Sequence, residues 1–262
     1  MKSIVFLGGG RITAALLAGL HLANYRQPIV VYDRNPPKLR RLKKAYGVAI
    51  EHGLEQAVAQ ARLLILAVRP GSVAGLLRRV ESARFVAAVS LAAGIPLANL
   101  RALAPKFAWA RAMPSPLCRS RRGLTALTFD RGFPAAARRQ LEQLFAKVGV
   151  VLEIPERRMD AFTVTYSASH GYHALATLVA AAEKLGLDRP TATIAASHAL
   201  ADALAASRDD QVSLAALLHE AATPGGTAAA VLESMERHGY SRAVQKGLAA
   251  GLARARKNAS QR

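Results

Sequence analysis

Residues 1–13 restrict what this chain can fold into more than any other stretch. Lys2-Ser3-Ile4-Val5-Phe6-Leu7 reads as a short buried strand, Gly8-Gly9-Gly10 as a turn, and Ala14-Ala15-Leu16-Leu17-Ala18-Gly19-Leu20 as a helix. Strand, glycine turn and helix in that order form a βαβ opening suited to a dinucleotide. In such a turn Gly8 supplies the bend and Gly10 lets backbone approach a pyrophosphate. The anion then meets the unpaired N–H groups of the helix N-terminus. The third glycine of the usual pattern is replaced by Thr13.

A second element follows about twenty residues on, as this reading requires. Pro28-Ile29-Val30-Val31-Tyr32 is a β-branched run, and Asp33-Arg34-Asn35 comes next. An acidic residue at the end of a second strand can accept hydrogen bonds from an adenosine ribose, which points to NAD. An adjacent Arg can pair with a 2′-phosphate, which points to NADP. Both are present, and a solvated Asp-Arg pair on an ordinary βαβ turn has the same appearance.

Composition narrows the class. The 262 residues suffice for one large or two modest domains. No stretch is apolar for the length a bilayer requires, and the single Cys118 permits no intrachain disulfide, so a cytoplasmic setting is expected. The formal charge of +19 raises the question of a polyanion partner. Its short clusters, such as Arg40-Arg41, Lys43-Lys44 and Arg119 with Arg121-Arg122, are not interleaved with aromatics. A base-stacking surface is therefore not expected, and no nucleic-acid partner is assigned. A positive field suits an anionic cofactor and an anionic substrate equally well.

The first half alternates strands and helices. Pro36–Tyr46, Leu54–Ala61, Val73–Val80 and Pro134–Val148 read as helices. Leu63–Val68, Arg84–Leu91, Phe107–Met113, Leu124–Phe129 and Val150–Ile154 read as strands. The pattern predicts a doubly wound parallel α/β sheet. After Pro155 the composition changes to alanine-rich segments at helical spacing: Ala161–Leu185, Thr191–Ser207, Ser213–Ala221, Thr227–His238 and Ser241–Asn258. Gly186, Pro190, Pro224-Gly225-Gly226 and Gly239 punctuate them. The expected organisation is a dinucleotide-binding domain over residues 1–155 and an all-helical domain over 156–262, whose small residues favour close packing between two subunits.

Seven segments together resemble the pyrroline-5-carboxylate reductase family. They are Phe6-Leu7-Gly8-Gly9-Gly10-Arg11-Ile12, Ala67-Val68-Arg69-Pro70, Ser90-Leu91-Ala92-Ala93-Gly94-Ile95-Pro96, Arg111-Ala112-Met113-Pro114, Gly123-Leu124-Thr125-Ala126-Leu127, Met159-Asp160-Ala161 and Thr223-Pro224-Gly225-Gly226-Thr227. Each alone is weak; in the family's order and spacing, across nearly the whole chain, they are specific. The resemblance implies an N-terminal Rossmann domain, a helical C-terminal dimerisation domain and an active site between them, with dimers that often build larger rings. It implies reduction of the C=N bond of 1-pyrroline-5-carboxylate to proline, with NADP(H) favoured and NAD(H) kept open. A divergent paralogue acting on another imine or a carbonyl compound, or a non-catalytic dinucleotide-binding protein, is the alternative.

The resemblance also implies roles. Gly8, Gly9, Gly10, Arg11 and Ile12 would cradle the pyrophosphate, while Asp33, Arg34 and Asn35 would meet the adenosine end. Ala67, Val68, Arg69 and Pro70 would follow the cofactor along a third parallel strand, with Ala92 near the nicotinamide. Gly225, Gly226, Thr227 and Ala228 would hold the carboxylate of a small anionic imine at a helix N-terminus; an ordinary helix start capped by Thr227 fits the same residues. Three departures lie on the substrate side. Ser115-Pro116-Leu117 stands for the family's Asn-Thr-Pro. Tyr166-Ser167-Ala168-Ser169-His170-Gly171-Tyr172 stands for Ser-Gly-Ser-Gly-Pro-Ala-Tyr, and Ala228 replaces a threonine that bonds the ring nitrogen in the family.

An imine reductase must place a hydride donor about 3–3.5 Å from the electrophilic carbon. It must also satisfy the nitrogen as electron density builds there. A pyrroline nitrogen is basic enough to arrive protonated. If the protein supplies a donor, the candidates are Tyr166, His170, Tyr172 and His173 of the rewritten segment, with Thr227 of the substrate loop as a further catalytic candidate. Packing between helices is the plainer reading of the tyrosines. Two histidines without a third ligand do not make a metal site, and none is assigned.

Overall fold

A computed structural model of the chain describes residues 3–80, 87–209 and 212–259. Lys2 and the Arg84–Val86 start of an expected strand lie outside them. The chain divides into two compact units, one made of residues 1–166 with 250–262, the other of residues 167–249.

The first unit is built on an eight-stranded sheet in the order β3-β2-β1-β4-β5-β6-β7-β8. The strands are β1 (Ser3–Leu7), β2 (Ile29–Tyr32), β3 (Ala49–Glu51), β4 (Ala61–Leu66), β5 (Ala87–Ser90), β6 (Ala108–Pro114), β7 (Gly123–Phe129) and β8 (Gly149–Glu153). Helices α1 (Arg11–Leu22), α2 (Pro36–Tyr46), α3 (Leu54–Ala59), α4 (Val73–Arg78), α5 (Leu97–Leu103) and α6 (Ala135–Ala146) connect them. Neighbouring strands are parallel except β6 and β7, which run antiparallel. The exception has a simple cause: only residues 115–122 join them, too few for the crossover that a parallel pair needs.

Alternation along β1 builds a core on each face of the sheet. Ile4 and Phe6 point to one side, among Leu16 and Leu17 of α1, Leu39 and Leu42 of α2, and Leu144 and Phe145 of α6. Val5 and Leu7 point to the other, among Leu54 and Val58 of α3, Leu77 of α4, Leu100 of α5 and Trp109. A strand buried on both faces needs a continuous apolar run, which is what residues 4–7 and 63–66 supply. Gly19 allows α1 to close on the 115–122 segment, because a Cβ there would meet the Cys118 carbonyl oxygen at 2.0 Å.

Local differences from the expected pattern have readable causes. The strand β3 has three residues on a sheet edge, too few to show a period, and α5 starts directly after Gly94-Ile95-Pro96, which reads as a break. The helix expected over 161–185 is two helices, α7 (Met159–Thr165) and α8 (Ala168–Lys184). Ser167 takes an extended conformation between them, and its hydroxyl accepts from the Ser169 N–H. A serine that bonds its own downstream backbone competes with helix continuation.

The second unit contains α8, α9 (Arg189–Asp209), α10 (Leu214–Ala221), α11 (Thr227–Arg237) and the first half of α12 (Tyr240–Ala259). Its buried hydrophobic cluster is small: Val179, Ala192 and Ala196, with Leu175 and Ala182 beside them. Larger side chains such as Ile194, Leu204, Leu214 and Leu218 are exposed. The second half of α12 belongs to the first unit, where Ala255 is buried and Gly94 lies against its carbonyl oxygen. No helix of the described residues is long and apolar enough to cross a membrane.

Candidate functional site

Strand order reverses between β1 and β4, and ligands in open α/β sheets lie outside the carboxyl ends of strands at such a reversal. The expected cofactor residues all follow carboxyl ends: residues 8–12 after β1, 33–35 after β2, 67–70 after β4 and Ala92 after β5. The sequence determines the tight geometry there. Gly8 has φ +113°, and a Cβ on it would lie 2.6 Å from the Ala67 carbonyl oxygen. Its N–H donates to Tyr32 O at 2.7 Å, while Ala67 N–H donates to Leu7 O at 2.9 Å. Thr13, where a third glycine was absent, is fully buried and donates its hydroxyl to Gly8 O at 2.5 Å. The substitution keeps the turn closed by a different bond.

Helix α1 begins without a side-chain cap, because its N-cap is Gly10. The N–H groups of Arg11, Ile12 and Thr13 have no carbonyl one turn earlier to bond. A Cβ on Gly10 would meet nothing within 4 Å, so the space in front of this helix end is open. A dinucleotide pyrophosphate fits this arrangement: open backbone donors, the positive end of a helix dipole and no obstructing side chain.

At the end of β2, Asp33 Oδ2 accepts from the Gly9 N–H at 2.7 Å and Oδ1 accepts from the Asn35 N–H at 2.9 Å. Lys38 Nζ lies 3.7 Å from Oδ2. Arg34 is exposed, and Asn35 caps α2 by accepting from the Lys38 N–H at 3.1 Å. After β4, Arg69 is exposed and precedes a short 3₁₀ turn, Pro70–Ser72. After β5, Ala92 is buried and its N–H donates to Ser90 Oγ at 3.2 Å.

Two polar clusters stand on the antiparallel side of the sheet. Arg111 on β6, 2% exposed, gives Nη1 to Glu156 Oε1 at 2.8 Å and Nη2 to Asp160 Oδ1 at 3.1 Å. The same Glu156 oxygen accepts from the Leu97 N–H at 3.0 Å, so one buried guanidinium ties β6, α5 and α7 together. Sequence reasoning missed this cluster, although Arg111 and Asp160 both lie in segments that carried the resemblance. Beside it, the Tyr166 hydroxyl accepts from the Leu124 N–H at 2.9 Å and donates to the buried Ser115 Oγ at 3.1 Å. Two of the three departures from the family pattern thus meet in one hydrogen bond. With its single proton given to Ser115, Tyr166 is arranged as a brace.

The other expected residues lie in the second unit. His170, Tyr172 and His173 are exposed on the first turns of α8. Gly225 has φ +78°, and Gly226, not Thr227, is the N-cap of α11. Thr227 and Ala228 are the first two helical residues and are exposed, so their N–H groups and the Thr227 hydroxyl are open to an anion. Thr227 therefore opens the helix without capping it. Among the described residues no three His, Cys, Asp or Glu side chains are grouped as a metal site. Cys118 is buried, which pushes its thiol up to about 11 and makes it a poor nucleophile.

Comparison with known proteins agrees with this geometry. Residues 3–94 match the family described as NADP oxidoreductase, coenzyme F420-dependent, and residues 156–258 match pyrroline-5-carboxylate reductase dimerisation. The pyrroline-5-carboxylate reductase of Mycobacterium tuberculosis is 31% identical over 97% of this chain and 96% of its own. That of Pseudomonas aeruginosa is 28% identical over 98% and 97%. Among solved structures, the Plasmodium falciparum pyrroline carboxylate reductase with NADP bound superposes with a TM-score of 0.88 at 19% identity, covering 99% of this chain and 98% of that one. The Coxiella burnetii pyrroline-5-carboxylate reductase gives 0.86 at 24%, covering 99% of both. With a relative of that identity along almost its whole length, and its helical half matching the dimerisation family, the chain belongs to the pyrroline-5-carboxylate reductases.

Proposed function

We propose that this protein reduces 1-pyrroline-5-carboxylate to proline with NADPH as the favoured hydride source, NADH serving less well. The observation that carries this reading is the open, uncapped N-terminus of α1 at the strand reversal, in a chain of this family. Residues 1–155 hold the dinucleotide, and residues 156–262 dimerise and receive the substrate. Self-association follows from the dimerisation segment and the large apolar side chains that the second unit leaves exposed. The dimer is the building block of a larger ring, the setting is cytoplasmic, and neither nucleic acid nor membrane is a partner.

When bound, NADPH supplies a hydride to the imine carbon. The chain's own residues do the rest. The N–H groups of Arg11, Ile12 and Thr13 hold the pyrophosphate, and Ala67–Pro70 with Ala92 line the path beyond it. The N–H groups at Thr227 and Ala228 hold the substrate carboxylate, whose charge the helix dipole favours. The ring nitrogen arrives protonated, so the Thr227 hydroxyl can accept its N–H as the charge there disappears. Ala228 lacks a hydroxyl, which leaves Thr227 the threonine of this loop's helix start. His170 is the remaining donor, exposed on the first turn of α8, while Tyr166 braces the β6–β7 region through Ser115 and Leu124.

The test is oxidation of NADPH and of NADH with 1-pyrroline-5-carboxylate, followed by detection of proline. Turnover that is faster with NADPH supports the reading. Dinucleotide binding with no proline formed overturns the substrate assignment and sends the search to other cyclic imines.

A further inference from the structure

The end of β2 presents a contradiction in charge. A carboxylate here ordinarily accepts the hydroxyls of an adenosine ribose and repels a 2′-phosphate. Asp33 occupies that place, yet it already accepts two backbone N–H groups and faces an ammonium. An ionised carboxylate has about four lone-pair directions. The Gly9 N–H and Lys38 ammonium lie on Oδ2, at 2.7 and 3.7 Å, and the Asn35 N–H lies on Oδ1 at 2.9 Å. Two of those directions stay free, so what sets this carboxylate apart is its bond to Gly9 and its ion pair with Lys38. Its evident task is to fix Gly9 in the turn ahead of α1.

Its negative charge is met by the neighbouring helix. Lys38 stands in the first turn of α2, where Pro36 and Pro37 set the backbone and the Asn35 side chain accepts from the Lys38 N–H. The helix carries Lys38, Arg40, Arg41, Lys43 and Lys44 and no acidic residue. Arg34 adds an exposed cation next to Asp33. The local balance is therefore positive in spite of the acid, which suits a dianionic phosphate.

We propose that Lys38 is the specificity-determining residue of the adenosine end: by neutralising Asp33 it allows this site to accept a 2′-phosphate, while Asp33 positions the glycine turn. The proposal rests on the dinucleotide reading above. It makes Lys38 important because of Asp33, and that dependence can be tested.

The experiment measures NADPH and NADH dissociation constants calorimetrically, without imine, for the full chain and for Lys38→Met, Asp33→Asn and the double variant. Lys38 is 44% exposed, so its replacement is not expected to disturb folding, and circular dichroism checks this. The unaltered protein should prefer NADPH. Lys38→Met should weaken NADPH by roughly fivefold or more, the scale of one charge-assisted contact, with little change for NADH. In the double variant, loss of the Asp33 charge should restore most of the NADPH affinity. Equal weakening of both cofactors, an unchanged ratio, a wild-type preference for NADH or a double variant no better than Lys38→Met overturns the proposal. A wild-type chain that binds neither dinucleotide overturns the parent reading, a result distinct from binding with an unchanged ratio.

Discussion

Single residues at the β1 turn separate folding from binding. Gly10 has an extended backbone that other residues can adopt, and a Cβ there meets no atom. Gly10→Val should therefore still fold, losing only about 1 kcal/mol because valine is a poorer N-cap than glycine. The valine would stand in front of the N–H groups that receive the pyrophosphate. Dinucleotide affinity measured by calorimetry should fall at least about tenfold, or ~1.4 kcal/mol; unchanged affinity would remove the pyrophosphate from this helix end. Cys118 makes a pH prediction. Burial raises its thiol to about 11, whereas in an unfolded chain it ionises near the ordinary value of 9.0. Between these values the folded state holds the proton and the unfolded state releases it, so stability falls as pH rises. Denaturant titrations at pH 8 and pH 11 should show the stability difference between wild type and Cys118→Ala shrinking at the higher pH.

At the scale of elements, Tyr166 decides between two roles for one side chain. Its hydroxyl joins the end of α7 to β7 through the Leu124 N–H and to the β6–β7 connection through Ser115. Tyr166→Phe should lower stability by about 1–3 kcal/mol, because the Leu124 N–H loses its partner. The pH profile of turnover should keep its shape; a lost limb with unchanged stability would make Tyr166 the proton donor instead. This junction also shows what sequence makes legible. Strands β1, β2 and β4 and helices α2 and α6 stood out because continuous apolar runs, a proline start and helical spacing are local signals. The break between α7 and α8 did not, because only a serine hydroxyl marks it. The Arg111–Glu156–Asp160 cluster did not either, since its members lie 45 and 49 positions apart and are joined only by the fold. The cofactor residues were visible as a glycine turn and an acidic strand end, but the Asp33–Gly9 bond joins the ends of two strands 24 positions apart.

For the whole molecule, the two units differ in how much of their own structure they can support. The sheet-based unit buries apolar residues on both faces. The helical unit is organised the other way round: on α9 the small residues Ala192 and Ala196 face inward at 0% and 3% exposure, while Ile194 is 63% and Leu204 59% exposed. A helix that buries alanines and presents its large aliphatic side chains outward is built for a second surface. Each such side chain contributes about 1.5–3 kcal/mol if fully buried on association, against a domain stability of only ~5–15 kcal/mol. The melting temperature should accordingly rise with protein concentration. Ile194→Asp with Leu204→Asp, neither of which removes a buried contact in the single chain, should shift the protein from dimer to monomer in analytical ultracentrifugation. The same variant should lose helical content at low concentration. NADPH affinity should persist, because Gly8–Thr13 and Asp33–Lys38 lie in the other unit. A variant that stays dimeric and fully helical would place the subunit interface elsewhere on the helical unit.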